Sequence, residues 1–208
     1  MHFRFKLFNS VSLIVTALVA FNAQAGQTIL VFGDSLSASY GVAQNLGWVQ
    51  LMQQRLVQQE YDALIVNTSI SGETTSGGLA RFKQTLLRHK PNIVLIELGA
   101  NDGFRGLTVK SMRQNLNTMI EQAKAVNAKV VLLGMRIPPN YGLPYSREFS
   151  NLYSELAKKH QSSLVPFLLT NVAGKAELNQ DDGIHPTANA QPLLLENVWP
   201  VLAPLLKK

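Results

Sequence analysis

Four short runs of almost uninterrupted apolar residues, separated by longer amphipathic stretches, narrow the fold more than any other feature. They are residues 28–32 (TILVF), 63–67 (ALIVN), 92–98 (NIVLIEL) and 129–135 (KVVLLGM). A strand with one wet face alternates apolar and polar residues. A run that is apolar at every position must be covered on both faces, as strands of a parallel sheet are. Residues 163–167 (SLVPF) make a weaker fifth run, because Pro166 cannot donate to a ladder. Helical candidates fill the gaps at 48–59, 79–89, 109–126 and 147–160. In the third, Met112, Leu116, Met119, Ile120 and Ala123 recur at helical spacing. The last stretch, 188–206, carries Pro192, which a first turn accepts, and Pro200, which should kink or end a helix. Its leucines and Trp199 read as core packing rather than membrane contact. Strands alternating with helices imply right-handed βαβ units and a three-layer α/β/α sandwich on a mainly parallel five-stranded sheet. With 208 residues and no linker, repeat or low-complexity tract, one domain is expected.

Composition removes several function classes. A hydrophobic content of 46% with 15% charged residues suits a compact globule. The net charge of +6 suggests nucleic acid, but two of the basic residues, Arg4 and Lys6, lie in the expected leader. Apart from Lys158–Lys159 and the terminal Lys207–Lys208, the basic residues are scattered singly. No stripe tracks phosphates, so nucleic acid is not an expected partner. Residues 1–25 have the layout of a secretory signal peptide: a basic start, the apolar run 11–21 and a small-x-small site at Ala23-Gln24-Ala25. The run is short of the roughly 20 residues a bilayer span needs. An uncleaved amphipathic helix is the plainer alternative. Without cysteine there is neither a disulfide nor a lipid-modified cysteine. The expectation is a leader over 1–25 and a soluble, monomeric domain over 26–208, periplasmic or secreted, without stable membrane insertion.

Ligands of open α/β folds bind beyond the carboxyl ends of the strands, and polar, glycine-rich segments gather there. Ser35, in "FGDSLS", follows the first run. It could cap a helix; the segment is neither a Gly-x-Ser-x-Gly elbow nor a phosphate-binding loop. Gly72, in "SISGET", could be a left-handed turn or offer a backbone N–H to a substrate oxygen. Asn101, in "GAND", could tie a turn or aim its amide at developing negative charge. The sharpest segment is "DDGIHP", residues 181–186, where Asp182 and His185 stand three apart on a stretch that Gly183 and Pro186 keep from ordinary helix. A carboxylate there fixes the tautomer of the imidazole and leaves its other nitrogen to act as a base. A purely structural Asp–His pair is the alternative. No second histidine suits a metal: His2 lies in the leader, and His89 and His160 end surface helices. Together the segments supply a nucleophile, an oxyanion donor and an acid-tuned base, in the order Ser, Asp, His.

The blocks "GDSLS", "SGET", "GAND" and "DGIHP" resemble those of the GDSL/SGNH hydrolase superfamily over essentially the whole mature chain. With "MRIPPNYG" at 135–142, the chain is similar to its periplasmic acyl-CoA thioesterase I, protease I and lysophospholipase (arylesterase) group. The resemblance implies a flavodoxin-like fold and a serine acyl-enzyme mechanism without metal or cofactor. It implies a catalytic Ser35, His185 and Asp182, and an oxyanion hole of the Ser35 and Gly72 N–H groups and the Asn101 amide. Substrates would be small carboxylic esters or thioesters: aryl esters, acyl thioesters and, through transient lipid contact, lysophospholipids. Arg136 and Tyr141, in the loop after the fourth run, fall where the group is expected to meet substrate, although Arg136 could equally serve a structural salt bridge. Residues 73–78 could form a mobile loop over the acyl chain or simply begin a helix. A cell-wall or polysaccharide O-deacetylase is the enzymatic alternative, and an inactive binding protein on the same fold the non-enzymatic one. Activity should rise as His185 loses its proton, and a flat profile between about pH 5 and 8 would count against it as base.

Overall fold

The computed structural model describes residues 26–208, so the expected leader lies outside the described residues. Five strands form one parallel sheet: β1 (Gln27–Gly33), β2 (Ala63–Asn67), β3 (Ile93–Glu97), β4 (Lys129–Leu133) and β5 (Ser163–Val165). Their spatial order is β2-β1-β3-β4-β5, the order of the flavodoxin-like fold that the family resemblance implies. In β3, at the centre, every residue is buried. At the β2 edge no residue is fully buried, and Leu64 is 60% exposed. The apolar run there was expected to be buried on both faces, but an edge strand lacks the neighbour that would complete the cover.

The helices are α1 (Trp48–Gln58), α2 (Thr75–His89), α3 (Ala100–Phe104), α4 (Val109–Ala125), α5 (Leu143–His160) and α6 (Gln191–Leu202). On one side of the sheet α1 packs on α6, and on the other α4 packs between α2 and α5. The apolar stripe expected on α4 is the buried one: Met112, Leu116, Met119, Ile120 and Ala123. Pro192 lies in the first turn of α6, while Pro200 sits inside it, two residues before its end at Leu202. Among the described residues no helix is long and apolar enough to cross a membrane.

Two helices begin earlier than the apolar pattern indicates. Helix α5 starts at Leu143 with a proline in its first turn, and α2 starts at Thr75 rather than Leu79. Residues 73–78 are therefore mostly a helix start and not an open loop. Gly77 and Gly78 look like breakers, but Gly78 is where α2 lies against the sheet. A methyl group there would come within 2.5 Å of Leu98 and 3.1 Å of Phe32. Close approach outweighs the roughly 1 kcal/mol that glycine costs inside a helix. The Thr74 side chain accepts the Gly77 N–H and caps the helix, offsetting more of that cost.

Candidate active site

The sheet order reverses between β1 and β3, so the segments leaving these two strands diverge and open a crevice between them. Ser35 follows β1 and Asn101 follows β3, one on each side of that crevice. The turn carrying Ser35 is held from below. Asp34 Oδ1 accepts the Leu36 N–H at 3.0 Å, and the buried Trp48 indole donates to the Leu36 carbonyl at 3.1 Å. Asn67 Nδ2 donates to the Ser37 carbonyl at 2.8 Å. Ser35 itself is half-buried, with its hydroxyl toward the crevice.

His185 arrives from a different direction. Residues 179–186 double back on themselves, with an antiparallel bridge from Asn179 to Pro186 and a bond from the Gln180 N–H to the His185 carbonyl at 2.7 Å. The Gln180 amide ties this loop to the Tyr40 carbonyl at 2.9 Å, and the Tyr40 ring lies 4.5 Å from the imidazole. The result is a short chain of contacts. His185 Nε2 is 2.9 Å from Ser35 Oγ, and Nδ1 is 2.6 Å from Asp182 Oδ2. The other Asp182 oxygen accepts the N–H groups of Ile184 (2.8 Å) and His185 (2.9 Å). These bonds, led by those from His185, hold the Asp182 carboxyl down at about 2, so it is ionised at any working pH.

Gly72 and Asn101 complete the rim. Gly72 has φ +78°, a left-handed turn that glycine adopts freely. Its carbonyl accepts from Arg105 at 3.1 Å, while the next residue, Glu73, pairs with Arg81. Asp102 grips the start of α2, accepting the Thr75 N–H at 2.8 Å and hydroxyl at 2.6 Å, and so ties the Gly72 segment to α3. Among the described residues the N–H groups of Ser35 and Gly72 donate to no backbone or side-chain acceptor. Asn101 Nδ2 donates to Asp34 Oδ2 at 2.9 Å and to the Glu73 carbonyl at 3.1 Å.

A cavity of about 340 Å³ opens directly beside Ser35 and His185. Its walls are largely apolar and include Leu36, Phe104, Met135, Phe167, Leu169 and Ile184. Arg136 also lines it, with its guanidinium 4.8 Å from the Phe167 ring centre. Tyr141 does not line it; its ring packs 6.2 Å from Phe104, which does. Sequence reasoning missed Tyr40 and Gln180, which carry no motif. It also passed over Glu97, a carboxylate inside an apolar run and hence a readable signal. Glu97, the last residue of β3, is fully buried, and its Oε2 accepts the Asp34 N–H and the Ser37 hydroxyl.

Comparison with known proteins agrees with this arrangement: the model of the GDSL-like lipase/acylhydrolase family matches residues 31–191. The chain belongs to that family. Among family members, Esterase TesA of Pseudomonas aeruginosa is 51% identical over 191 residues, 91% of this chain and 95% of the relative. Thioesterase 1/protease 1/lysophospholipase L1 of Escherichia coli is 40% identical over 189 residues, 91% of this chain and 89% of the relative. In structure, the psychrotrophic esterase EstA from Pseudoalteromonas, inhibited by monoethylphosphonate, superimposes with a TM-score of 0.82 at 41% identity. That match covers 86% of this chain and 97% of EstA. The GDSL-like block in this chain is the segment that carries Ser35 off β1.

Proposed function

We propose that Ser35, His185 and Asp182 act as the nucleophile, base and orienting acid of an acyl-enzyme mechanism. The chain is an ester hydrolase, as its relatives named esterase and thioesterase are, and its substrates are carboxylic esters and thioesters. The observation that carries the mechanism is the unbroken run from Ser35 Oγ through the imidazole to an ionised Asp182, at 2.9 and 2.6 Å. His185 Nε2 takes the Ser35 proton as Oγ bonds to the acyl carbon. Asp182 keeps the Nδ1 proton in place and stabilises the imidazolium. The alkoxide of the tetrahedral intermediate is met by the Ser35 and Gly72 N–H groups, which have no competing acceptor. Asn101 adds its amide: the hydrogen it gives to the neutral Glu73 carbonyl is the one an oxyanion outcompetes. The leaving alcohol or thiol departs with the proton from Nε2, and water repeats the steps to release the acid.

The apolar walls beside Ser35 favour acyl chains over the acetyl group of a polysaccharide. A p-nitrophenyl octanoate should be cleaved with kcat/KM about 10-fold above the acetate, because each fully buried methylene is worth about 0.8 kcal/mol and only some will be buried. A steep preference for acetate would instead support the deacetylase reading. The mechanism itself is tested by mass spectrometry after treatment with a p-nitrophenyl alkylphosphonate, which should phosphonylate Ser35 alone with loss of p-nitrophenolate; a label elsewhere, or none, would refute it. The leader-like layout of residues 1–25 supports an enzyme of residues 26–208 that works outside the cytoplasm. Lysophospholipids would be drawn from a lipid surface by transient contact.

A further inference from the structure

The hydrolytic scheme makes no use of Glu97, the last residue of β3, although it is completely buried beside the nucleophile turn. One carboxyl oxygen, Oε2, accepts the Asp34 N–H at 3.1 Å and the Ser37 hydroxyl at 2.8 Å, gripping the turn on both sides of Ser35. The other, Oε1, is buried and meets no donor. None of the ion pairs among the described residues includes Glu97. Its charged neighbour is another acid, Asp34, whose backbone N–H it accepts and whose charge acts on it directly. Two neighbouring carboxyls in an apolar interior strongly oppose each other's ionisation, and an anionic oxygen without a donor is costly there. A proton on Oε1 turns an orphan acceptor into a donor, with Asp34 as the acceptor at hand. Asp34 has room for it: Oδ1 takes one bond from Leu36 and Oδ2 one from Asn101, and each carboxylate oxygen can accept two.

We propose that Glu97 is a positioning residue for hydrolysis: a neutral acid that donates to Asp34 and so locks the carboxylate that aims the Asn101 amide at the substrate. This rests on reading Asn101 as an oxyanion donor. Burial, and then the Asp34 charge, push Glu97 well above the usual carboxylate range. Burial also raises Asp34, to about 6, against the pull of its bonds from Leu36 and Glu97, so Asp34 carries the charge above that pH. The pair thus holds one negative charge behind Asn101. It fixes the amide before the reaction begins, which is where a preorganised donor gains its advantage.

Infrared difference spectra at about pH 8 should show a carboxylic-acid carbonyl band in the wild type that vanishes in Glu97→Gln and persists in Asp34→Asn. Glu97→Gln supplies an N–H donor and a carbonyl acceptor in place of the acid. It should retain at least roughly a fifth of kcat/KM, whereas Glu97→Leu should lose about 10²-fold in kcat with KM little changed. In an Asn101→Ala background the leucine substitution should cost less than roughly 3-fold more. A wild type without the band, a glutamine variant as impaired as the leucine one, or an undiminished penalty in the Asn101→Ala background would each overturn the proposal. If Glu97→Leu does not fold, the band and the glutamine variant still decide. Full turnover by Asn101→Ala alone would instead remove the oxyanion reading, and the positioning role with it.

Discussion

Replacing Ser35 by alanine should lower kcat by roughly 10⁴- to 10⁶-fold while leaving the fold and its thermal unfolding unchanged. The hydroxyl is the only atom that can bond to the acyl carbon in this scheme, so its loss removes covalent catalysis entirely. What remains is binding in the apolar cavity and the N–H groups around the crevice, worth roughly 10³–10⁴ over water. Structural cost should be slight, because the turn at Ser35 is held by its neighbours. Asp34, Leu36, Ser37 and Trp48 make the bonds that shape it, while among the described residues the Ser35 side chain bonds only to His185. Steady-state hydrolysis of a p-nitrophenyl ester, with active-site titration to exclude wild-type contamination, measures the loss. A residual rate within 10²-fold of wild type would show that another group is the nucleophile.

Asp182→Asn should be the next most damaging change, lowering kcat by roughly 10² to 10⁴. The asparagine oxygen can still accept from the Ile184 and His185 N–H groups, so the loop should keep its shape. Its amide nitrogen would then face Nδ1 as a donor. That arrangement favours the tautomer with the proton on Nε2, which cannot take one from Ser35. The lower end of the range reflects exposure, since 38% of the Asp182 side chain is accessible and water competes for Nδ1. The pH behaviour separates this role from a purely structural one. With its carboxyl at about 2, below the ordinary value of 3.8, Asp182 stabilises the folded loop fully above about pH 4 and loses that effect only as pH falls toward 2. Decline of wild-type activity above pH 4 therefore reports other groups. The far-ultraviolet and aromatic circular dichroism of the wild type should accordingly show no loop-linked transition between about pH 5 and 4 from this residue.

The strands and most helices were legible because the sheet is parallel and its core strands are covered on both sides, which leaves almost nothing but apolar residues in each. Where one face is open, as at Leu64, the same signal overstates burial. The start of α2 was hidden because Gly78 is selected by contact with Leu98 and Phe32, a tertiary demand that local propensity cannot express. Ser35, Gly72, Asn101, Asp182 and His185 could be singled out because each sits at a strand exit or in a short segment of unusual composition, and the fold brings them around one crevice. Arg136 reaches the cavity and Tyr141 stands behind Phe104, a distinction that depends on how the loop after β4 folds. Tyr40 and Gln180 act across a gap of 140 residues in the chain, which periodicity and spacing do not report.

The crevice owes its existence to winding order, since it opens where the path of the chain changes direction across the sheet. No residue had to be carved away to make it, and the strands beneath need not shift to admit a guest. Phe104, Met135 and Phe167, which line the cavity beside Ser35, all come from segments beyond the strands. Taste for one acid over another can thus drift by exchanging these wall residues, while the reacting centre stays anchored to a frame that never registers the change.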